Sequence, residues 1–211
     1  MAERPVEIEL APGLRLAGDL SLPELAAGLV IFAHGSGSSR LSPRNRQVAA
    51  VLNEAGFATL LFDLLTPDEE LDRANVFDAG LLAERLLAAT RWVEAEEDLR
   101  SLPISYFGAS TGAAAALRAA ADRGGAIRAV VSRGGRPDLA GESLAKVVSP
   151  TLLIVGGADR QVLELNEQAA KLLRCAHEVA VVPGATHLFE ERGALELVAE
   201  LARDWLSRHA R

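Results

Sequence analysis

A chain of 211 residues, 49% of them apolar, can build one hydrophobic core, so a single domain over residues 1–211 is expected. A formal net charge of −7 with interspersed signs, and only two Trp, one Tyr and six Phe, speak against a nucleic-acid partner on grounds of both charge and base stacking. Cys175 is the single cysteine, which excludes an internal disulfide or a zinc-thiolate cluster; residues 1–9 lack the apolar core of a secretory leader and no apolar run is long enough to span a membrane, so the expectation is a cytoplasmic protein without metal, cofactor or membrane contact.

Residues 6–10 and 14–20 alternate partially around Ala11-Pro12-Gly13, the pattern of a hairpin that gives a sheet an antiparallel edge. Residues 29–33 are a short branched apolar run, read as a buried strand, and run into His34-Gly35-Ser36-Gly37. A helix over 44–55 leads to a strand over 58–63 that ends in Asp63. The acidic stretch 64–78 is expected to wrap near a cleft, and helical periodicity runs over 74–97. The strand at 104–107 passes into Gly108-Ala109-Ser110-Thr111-Gly112 and an Ala-rich helix over 111–122. Strands at 129–132, 151–155 and 179–182 follow, with helices at 162–173 and 194–207. Alternation of this kind makes an α/β fold: an eight-stranded, mostly parallel sheet with helices on both faces and an antiparallel N-terminal hairpin. Ligands bind beyond the carboxyl ends of such strands, so the residues just after each strand carry the functional question.

Three of those positions hold the parts of a nucleophilic site. Ser110 lies in a Gly-x-Ser-x-Gly pentapeptide on a strand-to-helix turn, where the glycines permit a tight turn that pushes the hydroxyl outward. A serine needs a base to take its proton and a third group to orient that base. Asp159 follows the strand at 151–155, and His187 follows the one at 179–182. The remaining candidates fit less well. His177 precedes its strand, His209 lies in the tail, and Asp63 and Asp138 read as cap or turn residues. The backbone N–H groups of Ser36 and Thr111 are the expected oxyanion donors, with His34 fixing its loop through a hydrogen bond. As a phosphate loop the 35–40 segment fails, because Arg40 stands where the dinucleotide pattern requires Gly.

These motifs resemble the α/β-hydrolase superfamily, in particular its small, lid-less dienelactone hydrolase-like branch. The matching positions are the His34 to Gly37 loop, the Gly108 to Gly112 elbow, Gly157-Ala158-Asp159, and Gly184 to Phe189, in the chain order Ser, Asp, His. The resemblance implies acyl transfer through a covalent ester on Ser110. One departure is that strict dienelactone hydrolases use a cysteine nucleophile where Ser110 stands, so the lactone substrate does not carry over. Only residues 133–149 separate two strands where many relatives insert a lid, which predicts an open cleft without a lid domain, suited to small or short-chain esters. Its rim is expected to include Arg40, Arg133, Gly134, Arg160 and Phe189, the arginines being candidates to bind a substrate carboxylate. The expected partner is a small-molecule ester, acting on a monomer or homodimer. Acyl transfer to an alcohol or peroxide, and a ligand-binding module with little turnover, are the alternatives.

Overall fold

The computed structural model describes residues 2–210. The chain opens with β1 (Ala2–Ala11) and β2 (Leu14–Leu22), an antiparallel hairpin turned at Pro12-Gly13. Then come β3 (Gly28–Ala33), α1 (Pro43–Glu54), β4 (Phe57–Phe62), α2 (Pro67–Glu70), α3 (Arg73–Phe77), α4 (Ala79–Ala95), β5 (Ile104–Ala109) and α5 (Thr111–Arg123). The remainder is β6 (Ile127–Arg133), a 3-10 segment (Pro137–Lys146), β7 (Thr151–Gly156), α6 (Arg160–Ala170), β8 (His177–Val182) and α7 (Ala194–His209). All eight strands join one sheet in the order β1-β2-β4-β3-β5-β6-β7-β8, with β2 antiparallel to β4 and every pair from β4 to β8 parallel. This is the architecture anticipated for an α/β-hydrolase.

The central strands are buried along their whole length because helices cover both faces, which is why they read as continuous apolar runs rather than alternating ones. Strand alternation still sorts the side chains. Leu29, Ile31 and Ala33 join the core under α4 and α5, whereas Val30 and Phe32 join the one under α1 and α7. The alanines of α5 have a packing role beyond helix propensity. Ala113 to Ala116 are fully buried, so the helix lies close against the sheet and its neighbours.

The boundaries differ from expectation in instructive places. The helix predicted over 74–97 is broken at Asp78, whose extended backbone and carboxylate, accepting from Gly80 N–H and Leu81 N–H, start α4 afresh. Ahead of it α2 is set by a capping box, in which Thr66 Oγ1 accepts from Glu69 N–H and the Glu69 carboxylate accepts from Thr66 N–H. Strand β8 begins at His177 rather than 179, and α6 runs two to three residues earlier than its apolar period suggests. Between β6 and β7 stands only the 3-10 segment, packed on α5. No helix among the described residues is long and apolar enough to cross a membrane.

Candidate active site

Ser110 joins β5 to α5 with φ +50° and ψ −119°, a conformation that costs a non-glycine residue backbone strain. Its surroundings hold it there. Ser110 N–H donates to Arg133 O at 3.1 Å, and Ser110 O accepts from Ala113 N–H and Arg136 N–H, each at 3.1 Å. Closeness at the turn explains the flanking glycines: a Cβ on Gly112 would lie 2.2 Å from Ala33 O and 2.4 Å from His34 O, and one on Gly108 would lie 2.5 Å from Ala113 Cα. The helix can begin here only without those two side chains.

Asp159 occupies the N-cap position of α6, yet its carboxylate does not cap the helix. It instead accepts from His187 Nδ1–H at 2.8 Å, which leaves His187 Nε2 facing Ser110 Oγ at 3.3 Å. With Nδ1 carrying the proton, the Nε2 lone pair is directed at the hydroxyl, the arrangement that general-base removal of a serine proton requires. The two supporting loops dock on each other. Ala158 N–H donates to Ala185 O and Gly157 N–H to Val182 O, both at 2.9 Å. Glu191 then ties down the turn before His187, since its Oε1 accepts from Thr186 N–H at 3.1 Å and Thr186 Oγ1–H at 2.6 Å. Those hydrogen bonds, the side-chain one foremost, hold the Glu191 carboxyl below its usual range.

Of the two expected oxyanion amides, Thr111 N–H lies in the unbonded first turn of α5 and has no acceptor among the described residues. Ser36 N–H is engaged: it donates to Thr111 Oγ1 at 3.0 Å. His34 fixes this loop as anticipated, Nδ1–H donating to Gly35 O and Nε2 accepting from Leu64 N–H, both at 3.0 Å. Its imidazole is 6% exposed, and burial lowers its pKa.

The other candidate residues divide. Asp63 binds Arg40 through both backbone N–H (2.8 Å) and guanidinium (2.5 Å), so the two form a clamp and Arg40 is not a free rim cation. Asp138 is held by Arg136 in a bidentate pair at 2.8 and 2.7 Å. Phe189 is a correction: expected at the rim, it is 2% exposed and packs in the core under α1 and α7 with φ +56°. The apolar ring turns inward as the chain leaves His187. Gly134, also at positive φ, sits against that loop, and a Cβ there would lie 3.3 Å from His187 O. Arg160 is exposed at the start of α6. Arg133 is 9% exposed, with Nη1 enclosed and unpartnered among the described residues. Burial, and secondarily the charge of Arg44, pushes its pKa down to about 10. His177 is exposed on β8, and His209 packs against Trp205 with tilted rings whose centroids are 4.3 Å apart.

The stretch 64–78, expected to wrap near a cleft, supplies most of one pocket wall, although the sequence does not single out its individual lining residues. A cavity of about 350 Å³ adjoins Ser36 and Thr111 and is lined on its far side by Leu64, Leu65, Val76, Phe77 and Leu82, with Glu70 and Arg73 adding charge. The capping box at Thr66 to Glu69 and the Asp72 and Asp78 caps are the signals that 64–78 folds into short helices. Among the described residues no group of three or more His, Cys, Asp or Glu side chains is arranged to hold a metal ion.

Comparison with known proteins places this geometry among relatives. A dienelactone hydrolase from Anabaena variabilis is 52% identical, with a TM-score of 0.96 over 100% of this chain and 99% of that one. Est1E from Butyrivibrio proteoclasticus shares the fold, with a TM-score of 0.82 at 20% identity, over 97% of this chain and 98% of that one. A Mycobacterium tuberculosis protein named "Putative phosphoribosyl transferase" is 62% identical over 207 residues, 98% of this chain but 47% of that protein. The chain thus spans about half the length of that curated relative. The model of the dienelactone hydrolase family matches residues 17–209, and on this match and this fold the chain belongs to the dienelactone hydrolase family of α/β-hydrolases.

Proposed function

We propose that this hydrolase is a serine esterase, cleaving carboxylic esters of small or short-chain acids through an acyl-enzyme on Ser110. The observation that carries the reading is His187 set between Asp159 at 2.8 Å and Ser110 at 3.3 Å, on a strained elbow. In this mechanism Ser110 Oγ attacks the ester carbonyl while its proton passes to His187 Nε2, and Asp159 stabilises the imidazolium. The imidazolium then protonates the leaving alcohol. Water, deprotonated by the same imidazole, releases the acid and restores the serine. Only the neutral imidazole, with Nδ1–H held by Asp159, offers a lone pair to the serine proton.

The cavity beside Thr111 is the natural seat for one side of the ester, and its apolar wall favours short aliphatic or small aromatic groups. The name of the Anabaena relative makes lactones worth including as substrates. The Mycobacterium tuberculosis relative named a phosphoribosyl transferase is about twice as long, with this chain covering 47% of it. A second reading concerns the substrate's charge. Arg133, whose backbone carbonyl accepts from Ser110 N–H, keeps a buried Nη1 without a partner among the described residues, a costly state that a carboxylate on the substrate would relieve.

The test is labelling and turnover together. A fluorophosphonate probe is expected to modify Ser110 once, p-nitrophenyl acetate to be hydrolysed continuously, and Ser110→Ala to remove both. Turnover that persists in Ser110→Ala overturns the assignment, and labelling without continuous turnover would favour a binding module on the same fold.

A further inference from the structure

An oxyanion hole needs donors that point, unengaged, at the place where a carbonyl oxygen gains charge. Thr111 N–H meets that condition, but Ser36 N–H already donates to Thr111 Oγ1 at 3.0 Å. The threonine is 4% exposed, so its hydroxyl is held in place rather than exchanging freely with solvent. A hydroxyl that accepts one hydrogen bond still has a proton to give. No acceptor takes that proton among the described residues, and both Thr111 and Ser36 line the cavity next to the elbow. The loops are close here: a Cβ on Gly35 would lie 3.0 Å from Ser110 Cβ.

We propose that the Thr111 hydroxyl is itself an oxyanion donor and that Ser36 N–H acts through it. The proposal rests on the acyl-enzyme reading above. When Ser110 Oγ bonds to the carbonyl carbon, the π pair of the C=O moves to oxygen and the serine proton goes to His187 Nε2. That oxygen accepts from Thr111 N–H and Thr111 Oγ1–H, and the threonine proton stays on threonine. Ser36 N–H continues to donate to Thr111 Oγ1, polarising the O–H bond, so the chain strengthens as negative charge grows. Direct use of the Ser36 amide would require its bond to Thr111 to break, leaving a buried hydroxyl oxygen without its donor. The relay keeps that bond.

Three variants test it. Thr111→Val removes the hydroxyl at nearly constant shape and frees Ser36 N–H; Thr111→Ala removes it without requiring the second methyl to fit; Thr111→Ser keeps it. With p-nitrophenyl acetate, the Val and Ala variants are expected to lose about 10²- to 10³-fold in kcat with KM changed only a few-fold, while Ser stays within a few-fold of the unsubstituted enzyme. Inhibition by an aryl trifluoromethyl ketone, which forms a serine hemiketal oxyanion, should weaken in the same proportion as kcat/KM. Unchanged or faster turnover in Thr111→Val would make Ser36 the direct donor and overturn the proposal, as would equal losses in the Ser and Val variants. Failure of the esterase reading looks different: the unsubstituted protein would then show no turnover that Ser110→Ala removes, and both proposals would fall together.

Discussion

The elbow at Ser110 and the segment between β4 and α4 face each other across the same cavity, and they are built in opposite ways. The elbow is over-determined: three backbone hydrogen bonds fix a strained serine, and two glycines are required by approaches of 2.5 Å or less. The segment is made of two helices of four and five residues, held by side-chain caps, with Leu71 84% and Phe77 47% exposed. Rigid backbone therefore surrounds the reacting atoms, while lightly packed helices shape what can approach them. Shape on the segment side can change without disturbing the chemistry on the other.

Breaking the chemical side should give the largest effect. Asp159→Asn keeps the volume of the side chain but presents an amide that can no longer fix the Nδ1–H form of His187. A fall of about 10⁴-fold in kcat is expected, with the thermal midpoint little changed. Asp63 and Asp138 cannot substitute, since Arg40 and Arg136 hold them. Steady-state kinetics on p-nitrophenyl acetate measure this, and near-normal kcat would remove Asp159 from the mechanism.

The same contrast explains what is legible in the sequence. The residues around Ser110, Asp159 and His187 can be found because their constraints are local: a Gly-x-Ser-x-Gly turn and two short post-strand loops announce themselves within a few positions. The mostly parallel sheet follows from strand and helix alternation. Phe189 escapes such reasoning because the direction of a side chain after His187 depends on a positive φ that the sequence does not mark. Arg40 escapes it for a related reason: its partner Asp63 lies 23 residues ahead, on another loop. The stretch 64–78 is legible as a neighbour of the cleft, but its short helices are hidden because apolar periodicity over 74–97 continues through Asp78, where the cap interrupts the helix. The bond from Ser36 N–H to Thr111 Oγ1 joins residues 75 apart and leaves no local trace.

Altering the segment should sharpen the comparison with a smaller effect. Val76 lines the cavity and is only partly buried, so Val76→Trp fills space with little expected cost to folding. Activity on p-nitrophenyl acetate should hold, while kcat/KM on the hexanoate ester should fall about 10-fold relative to it, the discrimination that one or two methylenes can give. A panel of acyl lengths reads this ratio directly. An unchanged ratio would place the acyl chain outside this cavity.

The smallest effect is expected where the two regions touch, at His34. Its Nδ1–H donates to Gly35 O on the elbow side and its Nε2 accepts from Leu64 N–H on the segment side, which only the neutral Nδ1–H tautomer can do. Protonation would set a second N–H against the Leu64 amide. Burial lowers the pKa of His34 below 6.5, opposed by the Gly35 hydrogen bond and by the charges of Asp63 and Glu70. Below that value the unfolded chain binds a proton that the folded chain does not, so stability present above pH 6.5 is lost as pH falls toward the folded pKa. The slope from this one group is at most about 1.4 kcal/mol per pH unit. Urea unfolding of the unsubstituted protein and of His34→Gln, from pH 7.5 down, separates it from the carboxylates, which contribute alike to both. The variant should be less stable at pH 7.5 and should converge on the unsubstituted protein as pH falls. Parallel pH dependences would mean that His34 is not held neutral, and that its two hydrogen bonds do not couple the elbow to the segment.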